Sequence, residues 1–297
     1  MRNFIIIFAE KEGTSPLIRL LNNFEQISII HQVSRQDWEP FDIHNRGAMT
    51  LGDLERCLDM VYNPAPIDFD QLNHLYKRTA QKPLEECKKG TVTGLKMRFT
   101  TPGEHSPYRD TLPKGFTHDL FRTMMFDVLK RNDVVVFLAQ RQDILRWALS
   151  KYHGDGTGKP GHLQFKLANG RIKRSSIGKI HIENSRLESV ISQCEDAHAY
   201  KKQLMEDFKR VGIQAHFLVY EDFLTDKQTY LNRVFDILEL KISPREIEAA
   251  LKKGTYFEKV HSHDIADFVV NHEEVLEKFG KYRSGPLTVD RASSFRQ

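Results

Sequence analysis

Short apolar runs alternate with amphipathic segments along the chain, and this alternation predicts its architecture. The runs that we interpret as strands are Phe4–Ala9, Ile27–His31, Thr91–Phe99, Asp133–Ala139 and Gln214–Val219. The segments between and after them that have helical periodicity are Pro16–Leu21, Leu51–Tyr62, Asp68–Ala80, Phe116–Arg131, Ile144–Tyr152, Glu183–Val211, Lys227–Glu239 and Pro244–Lys252. The first run is rich in Ile and Phe, which is typical of a strand buried on both faces. Strands alternating with helices predict a single α/β domain with a central parallel sheet flanked by helices.

The chain shows no internal repeat and no break in composition that would separate two domains. We expect residues 1–283 to form one domain and the polar segment 284–297 to be a frayed tail. His153–Gly161 contains four glycines and a proline, which predicts a mobile loop.

The composition narrows the class of protein. A hydrophobic content of 40% and a charged content of 28% are ordinary for a globular protein, and the net charge of +4 is too weak to indicate nucleic-acid binding. Cys57, Cys87 and Cys194 lie far apart without metal-type spacing, which favours reduced cysteines in the cytoplasm. No metal-ligand cluster, transmembrane segment or signal-peptide pattern is evident.

The turn after the first strand has the composition of an anion site. Gly13 lies between the strand and a helix that we expect Ser15 to cap, with Pro16 in its first turn. The free N–H groups and the positive end of the helix dipole would face a bound anion. Lys11 would add a positive charge, and Thr14 and Ser15 would add hydroxyl donors.

Other features of this turn allow a different interpretation. Many α/β proteins begin with a strand, a glycine and a helix and bind no phosphate there. No Gly-Lys pair follows the first glycine, so the spacing is not that of a P-loop. Glu10 and Glu12 also place negative charge close to the proposed anion.

A second candidate site follows the strand at Asp133–Ala139. Arg141 lies at the carboxyl end of this strand, and Ser150 lies on the next helix. Ligands of open α/β sheets bind beyond the carboxyl ends of the strands, so this site and the Lys11 turn should share one edge. Two phosphate-sized sites suit a nucleotide with phosphates at both ends of its ribose. Alternatively, Arg141 pairs with Asp143 and Ser150 is an ordinary helix serine.

Two motifs together resemble those of the sulfotransferases that use 3′-phosphoadenosine 5′-phosphosulfate (PAPS). Lys11-Glu12-Gly13-Thr14-Ser15 resembles their 5′-phosphosulfate loop, and Arg141–Ser150 is similar to their 3′-phosphate motif. Tyr220-Glu221-Asp222-Phe223 is also like a later part of this family, so the resemblance spans Phe4 to Leu240 in the right order. The bacterial carbohydrate branch, with trehalose and nodulation-factor sulfotransferases, is the most similar. The resemblance implies a P-loop-nucleotide-binding-like fold, PAPS as the donor and no metal.

The resemblance also implies roles for individual residues. Lys11 would contact the 5′-phosphosulfate and stabilise charge on the leaving group. The donors to the 5′-phosphate would be Gly13, Thr14 and Ser15. The 3′-phosphate would be held by Arg141 and Ser150. Glu12 and Pro16 depart from the family pattern, because a small hydroxyl residue is usual at the first of these positions and Thr, Leu or Trp at the second.

Sulfuryl transfer needs a general base, and we favour Glu39 in the loop that follows the second strand. Its neighbours include Trp38 and Phe41, and partial burial would strengthen it as a base. The carbohydrate branch also resembles this chain in placing a glutamate in that loop. The competitors for the role are His31, Asp42 and His105. Lys96, on the next strand, is expected to reach the sulfuryl group or the acceptor, or else to be a solvated charge.

Three functions remain open at the level of the sequence. The first is a PAPS-dependent sulfotransferase acting on a hydroxyl of a small-molecule or glycan acceptor, a carbohydrate or glycolipid. The second is a non-catalytic nucleotide- or polyanion-binding protein, an interpretation that Glu12 favours. The third is a nucleotide-dependent kinase, which the missing P-loop lysine disfavours. The sequence predicts neither the acceptor's identity nor the oligomeric state.

Overall fold

A computed structural model describes residues 1–9, 11–30, 51–63, 90–98, 118–156, 178–253 and 264–283. The predicted helix Asp68–Ala80 and the polar segment 284–297 lie outside these residues.

The described strands form one parallel sheet. They are β1 (Phe4–Phe8), β2 (Ile27–Ile30), β3 (Val92–Arg98), β4 (Val135–Gln140) and β5 (Ala215–Val219). Their spatial order is β2-β3-β1-β4-β5, and every neighbouring pair is parallel. The structure therefore confirms the prediction of an α/β domain with a central parallel sheet, and all five strands lie at the predicted places.

Strand β1 is at the centre of the sheet because its side chains are apolar on both faces. Ile5 and Ile7 pack on one face, against helices α2, α3 and α5, whose bounds are given below. Phe4, Ile6 and Phe8 pack on the other face, against helices α1, α7 and α8. All five residues are at most 4% exposed, as expected for a strand covered on both sides.

The helices in the described part of the chain follow the predicted pattern closely. They are α1 (Thr14–Leu21), α2 (Leu51–Tyr62), α3 (His118–Arg131), α4 (Ile144–Gly156), α5 (Asn184–Val211), α6 (Tyr220–Thr225), α7 (Lys227–Ile237), α8 (Pro244–Lys253) and α9 (His272–Phe279). Ser243 caps α8. Its Oγ accepts from the N–H of Glu246 at 3.3 Å, while the Glu246 carboxylate accepts from the N–H of Ser243 at 2.8 Å.

Two predictions about helix ends are wrong. Helix α1 begins at Thr14 with Gly13 as its N-cap, so Ser15 lies inside the first turn rather than at the cap. Helix α4 continues to Gly156, so the predicted loop at His153–Gly161 begins too early. The buried Trp147 and Leu149 anchor the preceding turns of α4 in a core cluster.

Helix α6 was not predicted from the sequence, and neither was helix α9. Helix α9 joins a third core cluster with α4 and α5 through Val275 and Phe279. This cluster lies beside α4, the helix that follows β4.

Candidate functional site

The turn between β1 and α1 has an unusual backbone. Lys11 has φ 64° and Gly13 has φ 79°, so two left-handed residues flank Glu12. A lysine in this conformation costs about 1–3 kcal/mol and persists only where its surroundings hold it. A Cβ added to Gly13 would come within 2.3 Å of the Tyr220 ring, so glycine is required here for both its φ and its size. The turn presents the first N–H groups of α1 at the carboxyl edge of the sheet.

Arg141 connects this turn to helix α4. It follows the last residue of β4, and its Nη1 donates to the carbonyl oxygen of Lys11 and to Ser150 Oγ, both at 3.2 Å. Its guanidinium lies 5.1 Å from the centre of the Tyr220 ring. Its Nε is buried and has no hydrogen-bond partner among the described residues. A guanidinium with an unused buried donor suits an anionic ligand.

A carboxylate from the first turn of α6, just after β5, holds the backbone beside Arg141. Glu221 accepts from the N–H groups of Gln142, at 2.9 Å, and of Asp143, at 3.1 Å. Asp143 itself caps α4, because its Oδ1 accepts from the N–H of Arg146 at 2.9 Å. Burial raises the pKa of Asp143. The Asp143 side chain thus has a capping role, whereas the hydrogen bonds of Arg141 run to Lys11 and Ser150.

Lys96 forms a second cation–hydroxyl pair on the other side of β1. It lies on β3, which is an interior strand, and it is only 6% exposed. Its Nζ donates to Ser15 Oγ at 3.5 Å and lies 4.0 Å from the centre of the Phe8 ring. Lys96 is therefore not a solvated charge; it places a cation at the N-terminus of α1.

Glu12 points into the protein. Its side chain is fully buried, and Oε2 accepts from the N–H of Ala9 at 2.6 Å. Its Oε1 forms an ion pair with Lys201 of α5, whose Nζ also donates to the carbonyl oxygen of Ala139 at 2.6 Å. The departure of Glu12 from the motif therefore places a neutralised carboxylate behind the turn, so the charge of Glu12 does not face the proposed anion site.

Lys201 was not identified from the sequence, although its position in the helical pattern indicates that it is buried. It lies on the buried stripe of α5 between Ala197 and Leu204, at helical spacing. A lysine on such a stripe needs a buried acidic partner. Nothing in the sequence identifies Glu12 as that partner, because the two residues are 189 positions apart.

His198, which lies near Lys201, is expected to make the free energy of unfolding depend on pH. Burial, and after it the positive charge of Lys201, lower the pKa of His198 from 6.5 to about 4. The unfolded chain therefore binds more protons than the folded one between these values, and stability falls as the pH is lowered through this window. We expect the folded protein to lose about 1 kcal/mol at pH 5 through this residue, allowing for its partial exposure.

Urea unfolding at pH 7.5 and pH 5, for the wild type and His198→Gln, measures this effect. The variant should lose less stability than the wild type on acidification. An equal loss in both proteins would assign the pH dependence to other groups. His216, whose pKa burial also lowers, is present in both and cancels in the comparison.

The structure brings most of the predicted site residues to one edge of the sheet. Those that meet there, at the carboxyl ends of β1, β3 and β4 or on the following helices, are Lys11, Gly13, Thr14, Ser15, Lys96, Arg141 and Ser150. The predicted general base Glu39 and its competitors His31, Asp42 and His105 lie outside the described residues.

Two kinds of feature are absent from the part of the chain that the structure describes. Histidine, cysteine and carboxylate side chains do not gather there into a group that could hold a metal ion. None of the described helices combines the length and apolarity needed to cross a membrane.

Comparison with known proteins gives distant structural likenesses. The chain matches no protein-family model and no curated protein. It is similar to a sulfotransferase from Alicyclobacillus acidocaldarius at 16% identity and a TM-score of 0.42, with 95% of this chain and 92% of that one covered. It is also similar to a sulfotransferase from Mycobacterium avium, at 11% identity and a TM-score of 0.39, with 95% of this chain and 76% of that one covered. The sulfotransferase domain from the curacin biosynthetic pathway is similar at 13% identity and a TM-score of 0.34, over 97% of this chain and 94% of that domain. Likenesses at these values carry no activity over to this chain.

Proposed function

We propose that this chain is a sulfotransferase that moves a sulfuryl group from PAPS to a hydroxyl of an acceptor. The observation that supports the proposal is the pair of cation–hydroxyl contacts at the carboxyl edge of the sheet. Arg141 and Ser150 form one, at 3.2 Å, and Lys96 and Ser15 form the other, at 3.5 Å. The Lys11 turn lies between them, since Arg141 also contacts the Lys11 carbonyl.

Two such sites on one edge match the two phosphates of PAPS. In this proposal the 3′-phosphate binds Arg141 and Ser150, and the buried Nε of Arg141 provides a donor for it. The 5′-phosphosulfate binds at the start of α1, with donors from Gly13, Thr14 and Ser15 and positive charge from Lys11 and Lys96. The Glu12 carboxylate does not oppose this binding, because Lys201 neutralises it inside the protein.

The proposed mechanism is in-line displacement without a metal. PAPS supplies an activated sulfuryl group, and the protein positions it and stabilises charge that spreads over the oxygens in the transition state. Lys11 stabilises the leaving phosphate, and Lys96, held beside Ser15, stabilises the sulfuryl oxygens. Glu39 accepts the proton of the acceptor hydroxyl.

The acceptor class and location are also part of the proposal. A carbohydrate or glycolipid acceptor is supported by the resemblance of both motifs to the bacterial carbohydrate branch. A cytoplasmic location is supported by Cys57, Cys87 and Cys194, which lie far apart in the sequence without paired spacing.

Calorimetric titration with adenosine 3′,5′-bisphosphate, the desulfated product, tests the proposal when run without magnesium. We expect binding in the micromolar range, followed by transfer from PAPS in a screen of sugar and glycolipid acceptors. A folded wild type that binds no bisphosphate would overturn the proposal. Binding of ATP only with magnesium would instead favour a kinase.

Glu39→Gln separates an enzyme from a protein that only binds nucleotide. The substitution removes the proposed base with little change in size, so turnover with PAPS should fall on the order of 100-fold or more. Affinity for adenosine 3′,5′-bisphosphate should be unchanged, because the proposed nucleotide contacts do not include this residue. Unchanged turnover would move the role of base to His31, Asp42 or His105, and each would be tested in the same way.

A further inference from the structure

The ion pair of Glu12 and Lys201 lies behind the Lys11–Gly13 turn and links it to the rest of the protein. The Glu12 carboxylate binds the N–H of Ala9 at the end of β1, and Lys201 binds the carbonyl of Ala139 near the end of β4. One charged contact thus joins two neighbouring strands to helix α5. Lys201 Nζ also lies 5.7 Å from the centre of the Trp147 ring, within the core of α4.

Stability alone is a poor explanation for this pair. The two side chains are 0% and 5% exposed, and charges so deeply buried lose more in desolvation than they commonly regain from their attraction. Buried ion pairs are retained in some proteins because they select one conformation among several. In this protein the conformation that the pair would select is that of the turn, because Glu12 lies between two left-handed residues, Lys11 and Gly13.

We propose that the buried Glu12–Lys201 pair is a positioning element that holds the Lys11–Gly13 turn in the conformation that receives the 5′-phosphosulfate. The inference rests on the proposed function, because it assigns the turn to that end of PAPS. Neither residue touches the ligand; both act through the backbone of the turn. Without the pair, the turn relaxes, and the N–H groups at the start of α1 no longer converge on one oxygen-rich group.

The test is a double substitution that removes both charges and leaves neither one buried alone. Glu12→Gln keeps an acceptor for the Ala9 N–H, and Lys201→Met keeps the length of the side chain. Because no unpaired charge remains, we expect a melting temperature within a few degrees of the wild type. Ligand binding then reports on the turn rather than on stability.

Three probes resolve which end of the nucleotide is affected: adenosine 3′-phosphate, adenosine 5′-phosphate and adenosine 3′,5′-bisphosphate. The double variant should bind the 5′-phosphate and the bisphosphate about tenfold more weakly than the wild type, as for the loss of one charged hydrogen bond. It should bind the 3′-phosphate as the wild type does. The matched control is Arg122→Met with Asp207→Asn, which removes an ion pair between α3 and α5 that has one buried carboxylate and should change none of the three affinities.

The outcomes distinguish this inference from the proposed function. A wild type that does not bind the bisphosphate overturns the function. A wild type that binds, with a stably folded double variant of equal affinity for the 5′-phosphate, overturns only the positioning role. Equal losses for the 3′- and 5′-phosphates also overturn it, because they indicate a general change in structure. If circular dichroism shows the double variant unfolded, Glu12→Gln with Lys201→Gln, which also removes both charges and keeps a donor at position 201, is judged by the same criterion.

Discussion

Replacing Arg141 with alanine is expected to weaken binding of adenosine 3′,5′-bisphosphate about 100-fold, the usual cost of removing one partner from a buried charged contact. The Arg141 guanidinium donates hydrogen bonds to Ser150 Oγ and to the carbonyl oxygen of Lys11, each at 3.2 Å. Its removal deletes the proposed 3′-phosphate ligand and also leaves that carbonyl without its donor. Titration calorimetry without magnesium measures the effect.

Two further variants sharpen this experiment. Arg141→Lys keeps the charge but lacks the planar fork, and it should recover only part of the lost affinity. Arg186→Ala is the matched control, since Arg186 also lies over a tyrosine ring, 4.7 Å from that of Tyr152, but on the exposed surface of α5. Its affinity should equal that of the wild type. Wild-type affinity in Arg141→Ala would remove Arg141 from the site.

Gly13→Ala is expected to destabilise the protein by about 3 kcal/mol, through a left-handed alanine and through overpacking against a ring. The residue has φ 79°, and the new Cβ would lie 2.3 Å from two carbons of Tyr220. Because the strained turn is the proposed phosphosulfate site, bisphosphate affinity should fall with stability. Urea unfolding and calorimetry measure the two effects.

The chain offers a close control for this substitution. Gly212 has nearly the same backbone, with φ 77°, but nothing lies within 4 Å of an added Cβ. Gly212→Ala should therefore cost only about 1 kcal/mol, the cost of the conformation alone. In a Tyr220→Ala background, Gly13→Ala should also cost about 1 kcal/mol, because the clash has been removed. Equal costs for Gly13→Ala and Gly212→Ala in the wild type would mean that the ring moves aside.

The five strands and seven of the nine α-helices of the described chain were predictable because each carries its own pattern. Apolar runs such as Phe4–Ala9 are stable in the middle of a sheet that is covered on both faces. The observed strand β1 ends at Phe8, one residue before the end of the predicted run. The cap of α8 was predictable for a similar reason, since Ser243 and Glu246 are three residues apart and satisfy each other locally. Helix α4 was predicted too short because Gly154 and Gly156 are weak helix formers, and the helix nevertheless includes both.

The candidate site was predictable in part. The sequence places Lys11 and Arg141 after buried strands, and parallel strands bring their carboxyl ends to one edge; the structure has both at that edge. The roles of these residues, and of Glu39, remain predictions. Ser15 was expected to cap α1, but Gly13 occupies the cap because the left-handed turn leads into the helix two residues earlier than a Ser15 cap would allow.

For the described residues, the sequence by itself determined the five strands, most of the helices and the side of each that is buried, because local periodicity encodes both. Only the tertiary structure decided which distant residues meet. Glu12 points inward and pairs with Lys201, 189 positions away, and the Tyr220 ring packs against Gly13. Lys96 is also buried beside Ser15. A local pattern shows that a buried charge needs a partner. It does not show which residue is that partner, because the partner lies on another element that packing brings close.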